Sequence, residues 1–255
     1  MIRKLQIELK LPQNIQHKFL GSVLHGALMD YLPNEMTEYL HHSFAYSPLK
    51  QRVFLIDDKV VWEIVSMNQD LSTQLLKLFS ENTYIYLKQY DFHLSIEKFD
   101  VQNIDVTELM NNKLSDEDLS RYIKLKIVTP MSYKSNNKYA ISPEIKMFFR
   151  SIMIQFDSFF SDYQMYDKET LDFIVDNVFI VDYRMKSTRF HLEKVKIPSF
   201  MGELTIKVNG PSPFLKLLHF LVAFGELSGV GIKTSLGMGK YHIISSEPRK
   251  AKSLS

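Results

Sequence analysis

The stretch Gly229-Val230-Gly231-Ile232-Lys233-Thr234-Ser235-Leu236-Gly237-Met238-Gly239 contains four of the nine glycines of this chain, as two Gly-x-Gly pairs. Because glycine has no Cβ, its backbone N–H can approach an anion closely and its φ can be positive. Lys233 adds positive charge, and the hydroxyls of Thr234 and Ser235 add donors. The stretch indicates either a phosphate-holding loop or a loop whose tight turns pack a helix against a strand.

Two known nucleotide-binding loops do not fit this stretch. A dinucleotide-binding fingerprint that starts at Gly229 needs a third glycine where Thr234 stands. A Walker A loop that ends at Gly239-Lys240 needs its first glycine at that same place, and a hydroxyl residue where Tyr241 stands. The glycines therefore do not form a nucleotide-hydrolase signature.

Regular elements are predicted on both sides of the glycine stretch. In the second half of the chain they are strand Tyr122–Val128, helix Ile145–Phe160, strands Val178–Met185, Phe190–Ile197 and Glu203–Val208, helix Phe214–Leu227 and strand Gly239–Ile244. Ser142-Pro143-Glu144 suits a helix start, since a hydroxyl caps the first N–H groups and proline fits the first turn.

The first half repeats this order. Its predicted elements are strand Ile2–Leu9, helix Ile15–Leu32, the extended stretch Phe44–Ile56, strand Val60–Val65, helix Leu71–Phe79 and one or two strands in Thr83–Phe99. The polar, acidic segment Asn103–Asp118 is the predicted linker. The order strand, helix, strands, helix, strand appears twice, which predicts an α+β fold of two tandem ferredoxin-like (βαββαβ) domains. We place them at residues 1–115 and 116–247, followed by a basic tail at 248–255.

Composition excludes several classes of protein. The chain has 255 residues and no cysteine, so disulfides and thiolate metal sites are ruled out. The start, MIRKLQIELKLP, has no long apolar core and no small-residue cleavage site, unlike a secretion signal. No run approaches the roughly 18 uncharged apolar residues of a membrane span. We therefore expect a cytoplasmic protein without a membrane partner.

Charge is segregated along a chain of net charge +2. The region from Arg121 to Arg150 contains seven Lys and Arg residues and only one carboxylate, whereas the region from Asp157 to Asp182 is acidic. Such segregation can create a local anion-binding field or a solvated face. The candidate phosphate-binding residues are Lys124, Lys126, Lys134, Lys138 and Arg150, and Tyr133 and Tyr139 are candidates for stacking on bases.

Three motifs together resemble one family. They are the glycine stretch before the last strand, the segment Leu40-His41-His42-Ser43-Phe44-Ala45-Tyr46-Ser47-Pro48-Leu49, and Val128-Thr129-Pro130 with Tyr139, Phe148-Phe149 and Arg150. They are similar to motifs of the CRISPR-associated endoribonucleases that process precursor CRISPR RNA, the Cas-six family of the repeat-associated RNA-binding superfamily. The spacer after Leu40-His41 is short here, so alignment does not decide between His41 and His42.

The resemblance implies tandem ferredoxin-like domains and cleavage of precursor CRISPR RNA within each repeat, without a metal or other cofactor. The ribose 2′-hydroxyl attacks the adjacent phosphate and leaves 2′,3′-cyclic phosphate and 5′-hydroxyl ends. Repeat RNA is the implied partner, and other CRISPR effector-complex proteins or a second copy of the chain are further candidates. RNA contacts are expected at the glycine stretch, through Gly229, Gly231, Lys233, Gly237 and Gly239.

This cleavage needs a base for the 2′-hydroxyl, an acid for the 5′-oxygen and positive charge for the phosphorane. Imidazole suits both proton tasks, and Lys or Arg supplies the charge. His41 is the favoured general base or acid, with His25 as its partner, His42 as the alternative, and Lys50 or Arg52 beside the phosphorane. The histidines could also be structural or exposed helix-end residues, and Lys50 and Arg52 plain strand charges.

Three other functions remain open at this point. A non-catalytic RNA-binding subunit of a CRISPR effector complex would share the fold and the glycine stretch but does not need paired histidines. A ferredoxin-like sensor of small ligands would have no salt-sensitive affinity for RNA. His25, His41 and His42 could ligate zinc with a carboxylate, but His41 and His42 are adjacent and the chain has no HExxH pattern. We therefore expect no metal site.

Overall fold

A computed structural model describes residues 1–42, 46–192 and 195–244. The predicted basic tail at 248–255 lies outside the described residues, as does Phe44, the first residue of the stretch predicted to be extended. Among the described residues, no helix is long and apolar enough to cross a membrane.

The N-terminal domain is built on a five-stranded antiparallel sheet in the order β2-β3-β1-β5-β4. Its elements are β1 (Ile2–Lys10), α1 (Leu20–Tyr31), α2 (Asn34–His42), β2 (Leu49–Ile56), β3 (Lys59–Ser66), α3 (Gln69–Glu81), β4 (Tyr84–Leu87) and β5 (Phe92–Ile104). Alternate residues of β1, such as Leu5 and Ile7, are buried against the helices, as its apolar–polar alternation predicts. Without the edge strand β4, the order is that of a ferredoxin-like domain.

Helix α2 lies outside the predicted elements. Pro33 follows Leu32, the last residue of the first predicted helix, and a proline at such a place is typical of a break. Proline is nevertheless accepted at a helix start, where an N–H has no intrahelical acceptor, and the Pro33 carbonyl here accepts the amide of Thr37 at 3.0 Å. The same residue thus separates α1 from α2, which carries His41 and His42.

The predicted linker, Asn103–Asp118, does lie between the two domains, but most of it is helical. Strand β5 continues to Ile104, and α4 (Val106–Ser115) follows at once. The Asp105 carboxylate caps α4 by accepting the amides of Thr107 and Glu108. Val106, Leu109 and Met110 of α4 pack into the core of the C-terminal domain, so this polar segment is an amphipathic helix that joins the domains.

The C-terminal domain has a four-stranded sheet in the order β11-β6-β10-β9, which is again ferredoxin-like. Its elements are β6 (Tyr122–Met131), β7 (Tyr133–Ser135), β8 (Lys138–Ala140), α5 (Ile145–Phe159), α6 (Lys168–Asn177), β9 (Val178–Leu192), β10 (Val195–Val208), α7 (Ser212–Ser228) and β11 (Tyr241–Ile244). The predicted fold class, two tandem βαββαβ domains, is therefore confirmed.

Several boundaries in this domain differ from the prediction. The three strands predicted between Val178 and Val208 are the two long strands β9 and β10. Strand β6 continues through Pro130, where its register with β10 shifts; proline is tolerated at such irregularities. Helix α6 was missed inside the acidic region, although Asp167 caps it as an ordinary N-cap residue.

The two domains are joined through a buried ion cluster, which we call the joint cluster: Arg52, Glu63 and Lys240, each at most 1 % exposed. Glu63 Oε1 accepts from Arg52 Nε at 2.7 Å and lies 3.0 Å from Lys240 Nζ. Burial alone would raise the pKa of Glu63, but the charges of Arg52 and Lys240 hold this pKa at about 2. Arg52 also donates to the Leu227 carbonyl at the end of α7, so the cluster fixes β2 and β3 against the glycine stretch.

The apolar cores are shared as well. Ile2, Val65 and Met67 of the N-terminal domain belong to the same buried cluster as the core of the C-terminal domain. The position of each domain is thus fixed by both charge and apolar contact.

Candidate functional site

The four glycines of the glycine stretch have positive φ values of 70°, 88°, 113° and 80° in chain order. A Cβ at Gly239 would collide with the Val230 carbonyl, and one at Gly231 with the Ser132 carbonyl. The amides of Gly229, Gly231 and Gly239 donate to Gly225 O, Ser151 Oγ and Pro130 O. These three glycines are therefore needed for packing, since their N–H groups are already bound within the protein. RNA contact by Gly229, Gly231, Gly237 and Gly239 stays a prediction.

His25 lies on α1 with its ring half-buried against the glycine stretch. Burial, and then the charge of His41, lower the pKa of His25 to about 4, and a hydrogen bond with the Ser235 backbone opposes this shift. Because that bond raises the pKa, its backbone partner is the acceptor, the Ser235 carbonyl. Nδ1 of His25 is buried without a hydrogen-bond partner among the described residues. At neutral pH this imidazole is therefore uncharged.

His41 is exposed, one residue before the end of α2. It is near enough for its charge to act on the ring of His25, so the structure brings these two predicted residues together. His42 is the last residue of α2, and its side chain lies outside the described part of the chain. The choice between His41 and His42 thus stays a prediction.

A basic pocket of about 730 Å³ opens beside this pair. It includes Ser235, whose backbone contacts His25, and Tyr46 and Ser47, which follow His41 in the chain. None of its lining residues is acidic, and its cations are Lys50, Lys134, Lys146, Arg150 and Lys233. Three predicted RNA-binding residues, Lys134, Arg150 and Lys233, therefore share one pocket next to the histidines. We call it the basic pocket.

Lys50 lies at the inner wall of the basic pocket and is 1 % exposed. Its Nζ donates to Gln155 Oε1 at 2.7 Å and to Thr234 Oγ1 at 3.1 Å. Burial, and then the charge of Arg52, lower the pKa of Lys50 to about 7. A phosphate in the pocket would favour its charged form, so Lys50 fits the predicted role beside a phosphorane.

Arg52 does not fit a catalytic role. Its guanidinium is fully buried in the joint cluster, where it binds Glu63 and the carbonyls of Glu226 and Leu227. Arg52 is absent from the lining of the basic pocket. The sequence placed it correctly on a strand two residues after Lys50, but could not show that the second domain covers that face.

The remaining predicted cations lie elsewhere. Lys124 is bound to Glu203 at 3.0 Å on the outer face of the C-terminal sheet. Lys138 is exposed on β8, next to the strand that carries Lys134. Lys126 lines a different surface, described next.

A second basic surface was missed in the sequence. Two adjoining cavities of about 490 and 400 Å³ share His17 and Lys186 and run between the outer face of the C-terminal sheet and the N-terminal domain. Their cationic and imidazole side chains are His17, Lys18, Lys126, Arg184, Lys186, Arg189 and His191. Arg184 and Lys186 are two residues apart on β9, and such spacing places both on one face of a strand. This spacing was the sequence signal for what we call the basic groove.

Acidification should destabilise the folded chain through His25. Between its ordinary pKa of 6.5 and its folded value of about 4, the unfolded chain binds a proton that the folded chain does not. The contribution of neutral His25 to the free energy of unfolding is fully present above pH 6.5. It falls as pH decreases toward 4, by up to about 3 kcal/mol. Urea unfolding at several pH values should show a shallower pH dependence for His25→Asn than for the wild type. An unchanged pH dependence in His25→Asn, with His93→Asn as the control, would contradict this assignment.

Comparison with known proteins agrees with the motifs. The family described as CRISPR-associated endoribonuclease Cas6 matches residues 125–241. A Streptococcus thermophilus protein of that name is 29% identical over 224 residues, covering 86% of this chain and 89% of its own length. A Mycobacterium tuberculosis protein of the same name is 24% identical over 239 residues, covering 91% of this chain and 74% of its own. The chain is thus similar to Cas6 proteins over most of its length.

Solved Cas6 structures share its fold. Thermus thermophilus Cas6 has a TM-score of 0.74 at 16% identity, covering 96% of this chain and 98% of its own. A Cas6 product complex has a TM-score of 0.78 at 16% identity, covering 96% of this chain and all of its own. A Cas6-related protein from Pyrococcus furiosus has a TM-score of 0.61 at 13% identity, covering 97% and 100%. At these identities the likeness establishes the fold, with both ferredoxin-like domains included.

Proposed function

We propose that this chain is an endoribonuclease of the Cas6 family that cleaves precursor CRISPR RNA within its repeats without a metal. The 2′-hydroxyl of the ribose attacks the adjacent phosphate, leaving 2′,3′-cyclic phosphate and 5′-hydroxyl ends. The observation that carries the proposal is the approach of His25 and His41 at the edge of the basic pocket.

The two imidazoles are suited to opposite proton tasks. Burial, and then the charge of His41, lower the pKa of His25 to about 4, so its imidazole is neutral at pH 7 and can accept a proton. His41, which is exposed, reaches the RNA and acts as general acid or base, with the buried His25 as its partner.

The cleavage reaction transfers one proton at each of two oxygens. A base removes the 2′-hydroxyl proton while the oxygen bonds to phosphorus, and an acid protonates the leaving 5′-oxygen while its bond to phosphorus breaks. Lys50 and the other pocket cations stabilise the negative charge of the phosphorane in between.

The basic pocket and the basic groove are the proposed RNA-binding surfaces. Residues of the glycine stretch lie in both, Thr234 and Ser235 in the pocket and Gly237 in the groove. An RNA strand can therefore pass from one to the other beside this loop, with phosphates neutralised on both sides. Association with CRISPR effector proteins or with a second copy, and a cytoplasmic location, stay predictions.

Cleavage should proceed in EDTA. Purified protein mixed with labelled RNA of its own repeat should give one cut per repeat, at a rate unaffected by chelator. The upstream fragment should carry a 2′,3′-cyclic phosphate, which phosphatase removes only after acid opening, and the downstream fragment should accept a 5′-phosphate from a kinase. If the repeat RNA stays intact in EDTA but is bound tightly, the chain is instead a non-catalytic RNA-binding subunit.

A further inference from the structure

We propose that Gln51 is a positioning residue for catalysis, whose side-chain amide holds helix α1 and the glycine stretch at the separation that places His25. The inference rests on the function proposed above. Gln51 lies on β2, is fully buried, and touches no candidate catalytic side chain in the described contacts.

The Gln51 amide connects three elements. Its Nε2 donates to the Gly21 carbonyl on α1 at 2.7 Å and to the Ser235 carbonyl of the glycine stretch at 3.0 Å. Its Oε1 accepts from Trp62 Nε1 on β3 at 2.9 Å. Indole N–H can only donate and carbonyl oxygen can only accept, so these partners fix which way the amide points.

Both carbonyls bound by Gln51 also set the position of His25. In an α-helix the carbonyl of residue 21 is the acceptor for the amide of residue 25, one turn later. The Ser235 backbone is the hydrogen-bond partner of the His25 ring. Gln51 therefore holds the backbone that carries the imidazole and the backbone that orients it.

The contact between α1 and the glycine stretch is close. A Cβ at Gly21 would lie 2.6 Å from the Leu236 carbonyl oxygen, and a Cβ at Gly237 would lie 3.0 Å from the Gly21 Cα. The backbone amide of Gln51 also donates to the Thr234 carbonyl at 3.3 Å. Neither Gly21 nor Gly237 places a side chain between the two backbones. The Gln51 side chain, which is bonded to both, therefore sets their separation.

Gln51→Met, which keeps the side chain's length but removes the amide, should loosen this spacing. Two carbonyls would each lose one of their donors and the Trp62 N–H would lose its acceptor, so the backbone would shift. Because small misplacements of a catalytic group have large kinetic effects, single-turnover cleavage should slow about 10- to 100-fold. The Kd for uncleaved repeat RNA should stay within about twofold, since no pocket cation is changed.

The control is Ser72→Ala, which removes a buried hydroxyl bonded to Ser66 and Asn68, away from the site. If this variant is destabilised as Gln51→Met is but cleaves at the wild-type rate, loss of stability does not explain the slower cleavage. Gly21→Ala offers a second route, because its methyl group pushes α1 from Leu236 while Gln51 stays intact. It should slow cleavage similarly.

NMR titration of the histidine rings gives a readout that does not depend on cleavage. The pKa of His25, about 4 in the wild type, should shift in Gln51→Met and Gly21→Ala and stay unchanged in Ser72→Ala. A less buried ring would have a higher pKa, and loss of the Ser235 carbonyl would give a lower one. A wild-type rate and an unchanged His25 titration in Gln51→Met would overturn the inference. If the wild type does not cleave in EDTA, the proposed function fails. A changed pKa of His25 in Gln51→Met would still show that Gln51 positions His25.

Discussion

His41→Ala should slow cleavage of repeat RNA by about 10²- to 10⁴-fold at saturating protein, the usual effect of losing a general acid or base. His41 is exposed, and its charge acts on the ring of His25, whose backbone partner Ser235 lines the basic pocket. Removal of His41 leaves one proton transfer of the reaction to water. Because the phosphate-binding cations remain, the Kd for RNA should change little.

Two variants make this result specific. His93→Ala removes an exposed histidine from β5, outside the site, and should cleave normally. His42→Ala tests the neighbouring residue directly. A normal rate in His41→Ala together with a slow rate in His42→Ala would transfer the role to His42, and normal rates in both would refute catalysis by this helix end.

Glu63→Gln should lower the free energy of unfolding by about 3–5 kcal/mol, because it leaves the charges of Arg52 and Lys240 buried without their counter-ion. Glutamine has nearly the same shape, so the loss is one of charge. The wild type should also lose this contribution in acid: the folded pKa of about 2 lies below the ordinary 4.5, so the contribution is present above pH 4.5 and declines as pH falls toward 2.

The matched control for this variant is Glu8→Gln. Glu8 pairs with Lys59, whose side chain is 62% exposed, and exposed pairs contribute about 0–1 kcal/mol. Urea unfolding followed by circular dichroism at neutral pH would compare the two. Equal small losses in Glu63→Gln and Glu8→Gln would show that the joint cluster adds no more than a surface pair.

The sequence predicted most of the fold because the relevant signals are local. Burial alternates along β1 with the period of its apolar residues, and the apolar residues of α1 recur on one face. The elements that the sequence did not predict also have physical explanations. Pro33 both ends one helix and precedes another, and a proline in the sequence does not distinguish these two roles. The segment after β5 is polar, yet it folds as a capped helix because the second domain covers its apolar side.

The candidate site was predicted less completely, since its residues meet through contacts between domains. The pair at 25 and 41 is near in sequence, and a helix followed by a return brings it together. Arg52 and Lys50 are indistinguishable as strand cations until the second domain is in place, when one is bound by Glu63 and the other faces the basic pocket. Gln51 gave no sequence signal, because a buried glutamine between charged neighbours looks like a surface strand residue.

The joint cluster also limits how such a chain can evolve. Arg52 and Glu63 come from one half and Lys240 from the other, while Ile2, Val65 and Met67 fill the opposite half's core. A chimaera that took its halves from two distant relatives would inherit mismatched charges and apolar surfaces at this seam. Recombination near the middle of the gene should therefore be tolerated only between close relatives, so that the two halves are inherited together.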